Sequence, residues 1–365
     1  MEFCERKVTI STPGRICLFG EHQDYLHLPV IAAAISRRIY IEGTARFDRK
    51  VNIDLPDIRK RESFEIVDQI PYIRERDYFR SVINVFQRRG VHFSHGFDCE
   101  VQGNIPINAG TASSSALIVG WANFLSRMSD SPRPMMPEEI AEIAYEAEVL
   151  EFSEPGGMMD QYSTAKGGLI WLESFPATKM SPINAGLKSF VLGNSHQPKD
   201  TRFVLANVKN KLLEIVKNLS EKHPEFSLHS IIRDNLERYR ANLSEDRFHL
   251  LEGTIGNRDI SFEAKEVLER VPLDHTRIGE LLNQHQTVLR DALGISTTKI
   301  DKMIDAALKA GAYGAKINGS GGGGCMFAYA PENPDAVVEA VRTVSEATLV
   351  NVDEGSREES SVPVL

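Results

Sequence analysis

Cysteine is scarce in this chain: four in 365 residues, at Cys4, Cys17, Cys99 and Cys325, with no CxxC pair. That spacing excludes a zinc ribbon and argues against a disulfide framework, so packed, reduced thiols are expected. Apolar runs are short as well. No stretch approaches the ~20 uninterrupted apolar residues that span a bilayer. The opening MEFCERKVTI carries no apolar core of the signal-peptide kind, so a cytoplasmic protein without a membrane partner is expected. Lys/Arg-rich runs are missing too, and 42 Lys plus Arg face 51 Asp plus Glu, a formal net charge of −9. This balance argues against nucleic acid as a partner. It leaves phosphate ligands open, because backbone dipoles bind anions inside acidic proteins. There is no internal repeat in the range of about 20–50 residues.

Hydrophobic residues make up 42% and charged residues 25%, the balance of a globular protein. The length suffices for two domains, each with its own core. Period-two alternation predicts strands at Lys7–Ser11 and in RRIYIEGTARF, VNIDL and ESFEIV, so the early chain reads as an antiparallel sheet. Thr12-Pro13-Gly14 reads as a turn closing the first strand. Helical spacing marks Tyr78–Arg89, and MPEEIAEIAYEAEVLEF predicts a strong helix with Pro137 and acids in its first turn. GFDCEVQGNIP, GGLIWLES and SFVLGNS read as further strands. A division near residue 186 gives domains 1–185 and 186–365. The second contains a polar helical stretch between Thr201 and Leu251, two more helices, and a strand pair around AYGAKINGSGGGGCMFAYAP. The polar tail DEGSREESSVPVL is expected to be partly disordered. Mixed strands and helices without strict βα alternation predict an α+β fold.

Three stretches depart from ordinary packing. PINAGTASSSA, Pro106–Ala116, runs small residues into an apolar helix. Gly110 lets the backbone turn, and free N–H groups at the helix start favour an anion. The hydroxyls offer donors, or ligands for a hard cation. A serine-capped helix with spare small residues explains the stretch equally well, and no Gly-Lys-Ser/Thr makes it a Walker A loop. GAKINGSGGGGC, Gly314–Cys325, puts five glycines and one serine into 319–324. Ordering such a run costs entropy and a hairpin needs fewer residues, which favours a ligand-contacting loop. In AEVLEFSEPGGMMDQ, acids at 148, 151 and 154 would share one helix face, the usual solvated pattern. Asp160 follows Pro155-Gly156-Gly157 and two methionines, and is the candidate catalytic carboxylate. PGRICLFGEHQDY adds Arg15, Glu21, His22 and Asp24, three groups able to bond polyol hydroxyls and one guanidinium for a phosphate or carboxylate. His22 alone would read as a structural histidine; the cluster carries the weight.

Together these motifs resemble those of the GHMP small-molecule kinases, the superfamily of galactokinase, homoserine kinase, mevalonate kinase and phosphomevalonate kinase. They occur in the family's order across nearly the whole chain. PGRICLFGEHQDY resembles the galactokinase signature around Gly-Glu-His-x-Asp-Tyr. PINAGTASSSA aligns without a gap with P-x-x-x-G-L-S-S-S-A, GAKINGSGGGGC resembles the glycine-rich third motif, and EPGGMMDQ is similar to the galactokinase segment ending in Met-Asp-Gln. The resemblance implies an N-terminal domain like domain 2 of ribosomal protein S5, a C-terminal ferredoxin-like domain, and an active site between them. It implies ATP and Mg²⁺. It implies Asp160 as the group that takes the sugar hydroxyl's proton and Arg15 as the cation near that hydroxyl. It implies Ser114 and Glu148 as Mg²⁺ ligands, Glu148 lying twelve residues before Asp160. Glu21, His22, Asp24 and Gly157 match sugar contacts. Gly110, Thr111, Ala112, Ser113, Ser114 and Ser115, with Gly319, Ser320 and Gly321, match the nucleotide-binding loops.

The chain departs from galactokinases at Cys17, where they carry Asn, and at Thr111-Ala112, which replace Leu-Ser. After Tyr25, Leu26, Leu28 and Ala32 replace Asn, Gly and Pro. Mevalonate kinases lack the Asp-Tyr that follows Gly-Glu-His here, which favours a sugar over mevalonate. The expected activity is ATP-dependent transfer of the γ-phosphate to a sugar hydroxyl, most simply the anomeric one, giving a sugar 1-phosphate. The alternatives are another acceptor (arabinose, fucose, a uronic acid, a heptose phosphate or mevalonate) or a catalytically silent galactokinase-like sensor. The presence of Arg15, Ser114, Glu148 and Asp160 together favours an enzyme. A monomer or homodimer is expected.

Overall fold

The computed structural model describes residues 6–198 and 201–360. The turn expected at Thr12-Pro13-Gly14 does not form. β1 (Lys7–Phe19) runs through it, and the register against β2 (Val30–Ala45) shifts between Pro13 and Gly14 instead. The reason lies across the fold: a Cβ on Gly14 would sit 2.8 Å from the carbonyl oxygen of Thr111, so the glycine admits the serine loop to the strand. β3 (Lys50–Leu55) and β4 (Lys60–Glu65) make a hairpin, followed by α1 (Tyr78–Arg88) and β5 (Phe97–Gly103). β5 pairs antiparallel with β2 but parallel with β3, so the early sheet is mixed and not purely antiparallel. The long crossover through α1 supplies the length that a parallel pairing needs. Then come α2 (Ser113–Met128), α3 (Pro137–Tyr145), α4 (Met159–Lys166) and the hairpin of β6 (Leu169–Glu173) and β7 (Lys179–Pro182). Phe97, Trp121 and Phe124 lie at the heart of this half's core, with the Trp121 and Phe124 rings stacked at 5.2 Å.

The chain then builds a second sheet. β8 (Phe190–Asn194) precedes α5 (Thr201–Lys222), a 3-10 run at Arg233–Asn242, α6 (Glu245–Leu268), α7 (His275–Thr287) and α8 (Thr298–Lys309). The stretch read as one helical region between Thr201 and Leu251 is thus broken after Lys222. β9 (Gly314–Ile317), β10 (Cys325–Tyr329), α9 (Pro334–Arg342) and β11 (Glu346–Val350) complete the order β11-β8-β10-β9, antiparallel throughout. This is the ferredoxin-like arrangement, and with the first sheet it makes the α+β fold. A shared core joins the sheets, with Leu18 and Phe19 packed among residues such as Phe190 and Phe327.

The tail is more ordered than its composition suggests. β12 (Arg357–Glu359) returns to pair with β1. The buried Arg38 guanidinium holds this return, donating to Asp353 Oδ2 and to the carbonyls of Glu354 and Gly355. Residues 361–365 lie outside the described residues, as does Cys4. Cys17, Cys99 and Cys325 are buried thiols. Among the described residues no helix is long and apolar enough to cross a membrane.

Candidate active site

One cavity gathers residues from all the motifs. The serine loop enters it with Asn108, Gly110 and Ala112 each at positive φ (53°, 86° and 59°). That conformation costs a side-chain-bearing residue about 1–2 kcal/mol. It is held because the loop's carbonyls turn into the protein. Ala109 O accepts from Cys325 N at 2.7 Å, Gly110 O from Arg15 Nη1 and from Asn318 Nδ2 at 2.8 Å, and Thr111 O from Arg15 N at 3.1 Å. With those carbonyls occupied, the first N–H groups of α2, which have no intrahelical acceptor, are left for the cavity. The helix starts on Ala112 with no side-chain cap bond, so the serines are not serving as a cap.

The glycine-rich loop packs directly against this one. A Cβ on Gly319 (φ 77°) would lie 2.7 Å from Gly110 O, and one on Gly324 (φ 76°) would lie 2.5 Å from Ala109 O. Much of the glycine requirement is therefore loop-on-loop contact. Gly319 and Ser320 line the cavity, but Gly321 does not; it stands against Ile295. Thr111 is also outside the lining, buried with its hydroxyl on Pro106 O at 3.3 Å. From the sequence both are expected to contact the nucleotide, and neither lines the cavity. Gly319→Ala and Gly324→Ala are each expected to cost about 1–3 kcal/mol of stability, from strained φ and the steric clash. Gly186→Ala, where a Cβ meets nothing within 4 Å, serves as control. Urea melts with equal midpoints for all three would refute the packing argument.

Arg15, 4% exposed on β1, donates through Nε (2.8 Å) and Nη2 (2.7 Å) to Oδ1 of Asp160 in the first turn of α4. Asp24 lies beside this pair and accepts from Tyr25 N at 2.9 Å and Met159 N at 3.3 Å. Burial, and then the Asp160 charge, raise its pKa above the usual carboxylate value. Gly157 is glycine for a visible reason: a Cβ there would be 2.3 Å from the Asp24 carboxyl. Glu21 and His22 also line the cavity, but their polar atoms are engaged by the protein. Glu21 meets Lys316 Nζ and Gly319 N, and His22 meets Tyr25 Oη and Ser320 O.

Glu148 belongs to a π-turn at Glu146–Leu150 that ends the long helix. The turn rotates the acids apart, so 148, 151 and 154 do not share a face. Glu148 is buried in the cavity, Glu151 pairs with Arg88, and Glu154 pairs with Arg76 at 2.7 Å beyond the helix. Burial lifts the Glu148 pKa, against the hydroxyls of Ser115 and Ser114 and the Gln161 amide, which donates to Oε2 at 2.6 Å. Ser114 is exposed to the cavity and Ser115 is buried. Gln161 Oε1 is buried without a hydrogen-bond partner among the described residues. A carboxylate, a facing hydroxyl and an orphaned amide oxygen fit a small hard cation that keeps some of its waters. Among the described residues no cluster of three or more His, Cys, Asp and Glu could hold a metal by itself.

Reading single motifs misses Asn318, Lys316, Gln161 and Arg76. Asn318 and Lys316 sit inside the third motif, yet they meet Cys17 and Glu21 of the first and, for Asn318, Gly110 of the serine loop. Nothing short of the fold pairs them.

Comparison with known proteins agrees with the fold. Residues 77–168 match the GHMP kinases N terminal domain, 264–347 the GHMP kinases C terminal domain, and 2–44 the galactokinase galactose-binding signature. The mevalonate kinase of Thermococcus sibiricus is 30% identical over 350 residues, covering 92% of this chain and 93% of that protein. The galactokinase of Mannheimia succiniciproducens is 27% identical over 355 residues, covering 93% and 88%. The crystal structure of Lactococcus lactis galactokinase complexed with galactose superposes with a TM-score of 0.87 at 22% identity, covering 96% of this chain and 95% of that one.

Proposed function

The chain belongs to the GHMP kinase family, phosphotransferases that use ATP on alcohol acceptors, and from that premise we propose that it phosphorylates a sugar at the anomeric hydroxyl. The observation that carries the sugar reading is Asp24. It is a half-buried carboxylate beside Asp160 whose oxygens accept, among the described residues, two backbone N–H bonds, one of them long. Lone pairs remain for acceptor hydroxyls. An acceptor bearing its own carboxylate would instead face Asp24 and Asp160 together, with Arg15 already committed to the latter. The match of residues 2–44 to the galactose-binding signature supports the same reading.

Arg15 engages Oδ1 of Asp160, which leaves Oδ2 for the acceptor. The hydroxyl oxygen forms its bond to the γ-phosphorus as the bond to the bridging oxygen of ADP breaks, and the hydroxyl proton passes to Asp160. Arg15 neutralises negative charge near the transferring group. The N–H groups at the start of α2 hold the nucleotide phosphates. Ser114 and Glu148 would hold Mg²⁺, which when bound neutralises charge on the phosphate oxygens.

A second reading, mevalonate as acceptor, is favoured by the similarity to the Thermococcus sibiricus protein. ADP release measured with ATP, Mg²⁺ and a panel of free sugars plus mevalonate separates the two. Turnover is expected on at least one sugar. Activity on mevalonate alone overturns the sugar reading, and no ADP release with any acceptor points to a sensor.

A further inference from the structure

We infer that Lys316 is a positioning residue: with Glu21 it clamps the first motif onto the glycine-rich loop, and Glu21 acts on the reaction through that clamp without touching the acceptor. The inference rests on the kinase reading of the cavity.

Lys316 is fully buried, and its three ammonium N–H groups have three acceptors: Glu21 Oε2, Cys17 O at 2.9 Å and Ile317 O at 2.9 Å. The other Glu21 oxygen takes the Gly319 N–H at 2.8 Å. His285 packs beside the pair, its Nε2 3.9 Å from Glu21 Oε2. Burial, then the Lys316 charge, hold the imidazole neutral, so no second cation competes for the carboxylate. The same two segments are joined next door. Asn318 Oδ1 accepts Cys17 N at 2.9 Å, its Nδ2 donates to Gly110 O, and His22 Nε2 lies 3.0 Å from Ser320 O.

A buried ion pair is a poor source of stability. Desolvating the two charges offsets most of their attraction, and an apolar pair of the same shape packs as well. What charges supply and apolar groups do not is direction. Here every donor and acceptor of the pair points at a backbone or carboxylate atom of one motif or the other. The clamp ends at Gly110 O, the carbonyl that Asn318 and Arg15 share, so it sets the serine loop and the cation that holds Asp160 together.

The test uses E21Q, K316M and E21Q/K316M in the full chain. K316M alone strands a buried carboxylate and is expected to fold poorly. The double variant removes both charges and is expected to fold with a near-normal Tm. Its kcat should fall about 10–100-fold, the scale of a misaligned site, with the acceptor KM within threefold of normal. Amide exchange in 110–116 and 319–324 should rise together, a readout independent of turnover. Normal kcat in the double variant, or exchange rising in 319–324 alone, overturns the inference. So does an E21Q whose acceptor KM rises tenfold with kcat intact, because that would make Glu21 a direct contact. Should the double variant not fold, E21Q alone carries the same kinetic and exchange measurements. A wild-type protein with no turnover on any acceptor would count against the kinase reading and leave the exchange result to judge the clamp.

Discussion

Asp160→Asn is expected to fold normally and to lose about 100- to 10,000-fold in kcat, the range attributed to a positioned acid or base. Asn keeps the shape of the side chain and an oxygen for Arg15, whose Nε and Nη2 both meet Oδ1 in the native protein. It loses the charge and cannot take a proton. The Asp160 side chain is 30% exposed, so its loss should leave the core intact and Tm within a few degrees. Nucleotide affinity should hold, because the donor side of the cavity is built by the 108–115 loop. A variant that binds ATP, melts normally and still turns over within tenfold of the native rate would remove Asp160 from the role. Arg15→Ala makes a useful contrast. It deletes the partner of Asp160 and also the side-chain bond into the serine loop at Gly110 O, while the backbone bond from Arg15 N to Thr111 O remains. It should therefore harm both nucleotide KM and kcat, where Asp160→Asn harms kcat alone.

The parts of this site that are legible in sequence are those where residues are used wastefully for packing. Five glycines in six positions, or three serines at the mouth of an apolar helix, exceed what a turn or a cap needs, so they advertise a close approach, of a ligand or, as at Gly319 and Gly324, of another loop. What they touch is another matter. Gly14 looks like half of a turn because Pro-Gly usually is one; only the approach of Thr111 O, nearly a hundred residues on, explains why the strand runs through it. Glu21 meets Lys316 across 295 residues and Cys17 meets Asn318 across 301. No local pattern encodes such a pairing, so the sequence shows Glu21 as a candidate sugar contact and is silent on its partners. The acids at 148, 151 and 154 fail for the opposite reason. Their spacing is correct for an α-helix, and a π-turn inside that helix changes which way each one faces. The tail misleads because its charges look solvated, whereas its carbonyls at Glu354 and Gly355 have a buried donor, Arg38, waiting for them in the main body.

Glu148→Gln is expected to raise stability while removing most metal-dependent turnover. Burial raises the Glu148 pKa in the folded protein. A carboxyl whose folded pKa lies above its unfolded value binds its proton more tightly when folded. Its ionised form therefore costs stability above the unfolded pKa, and that cost fades as pH falls through the folded value. Gln removes the charge, so Tm should rise at neutral pH, with the gain shrinking toward acid. Turnover should drop about 100-fold or more, since losing several kcal/mol of charge stabilisation at the phosphates is worth that much. Ser114→Ala should move the Mg²⁺ titration midpoint about 10–100-fold upward. Ser113→Ala should leave it in place. Ser115→Ala, at a buried hydroxyl, should act on Tm first. The pattern across the four variants is the test, read by Mg²⁺ titration of turnover and by calorimetry with a non-hydrolysable ATP analogue. A midpoint that shifts equally for all three serines would mean that the loop holds phosphate only, and that the cation sits elsewhere.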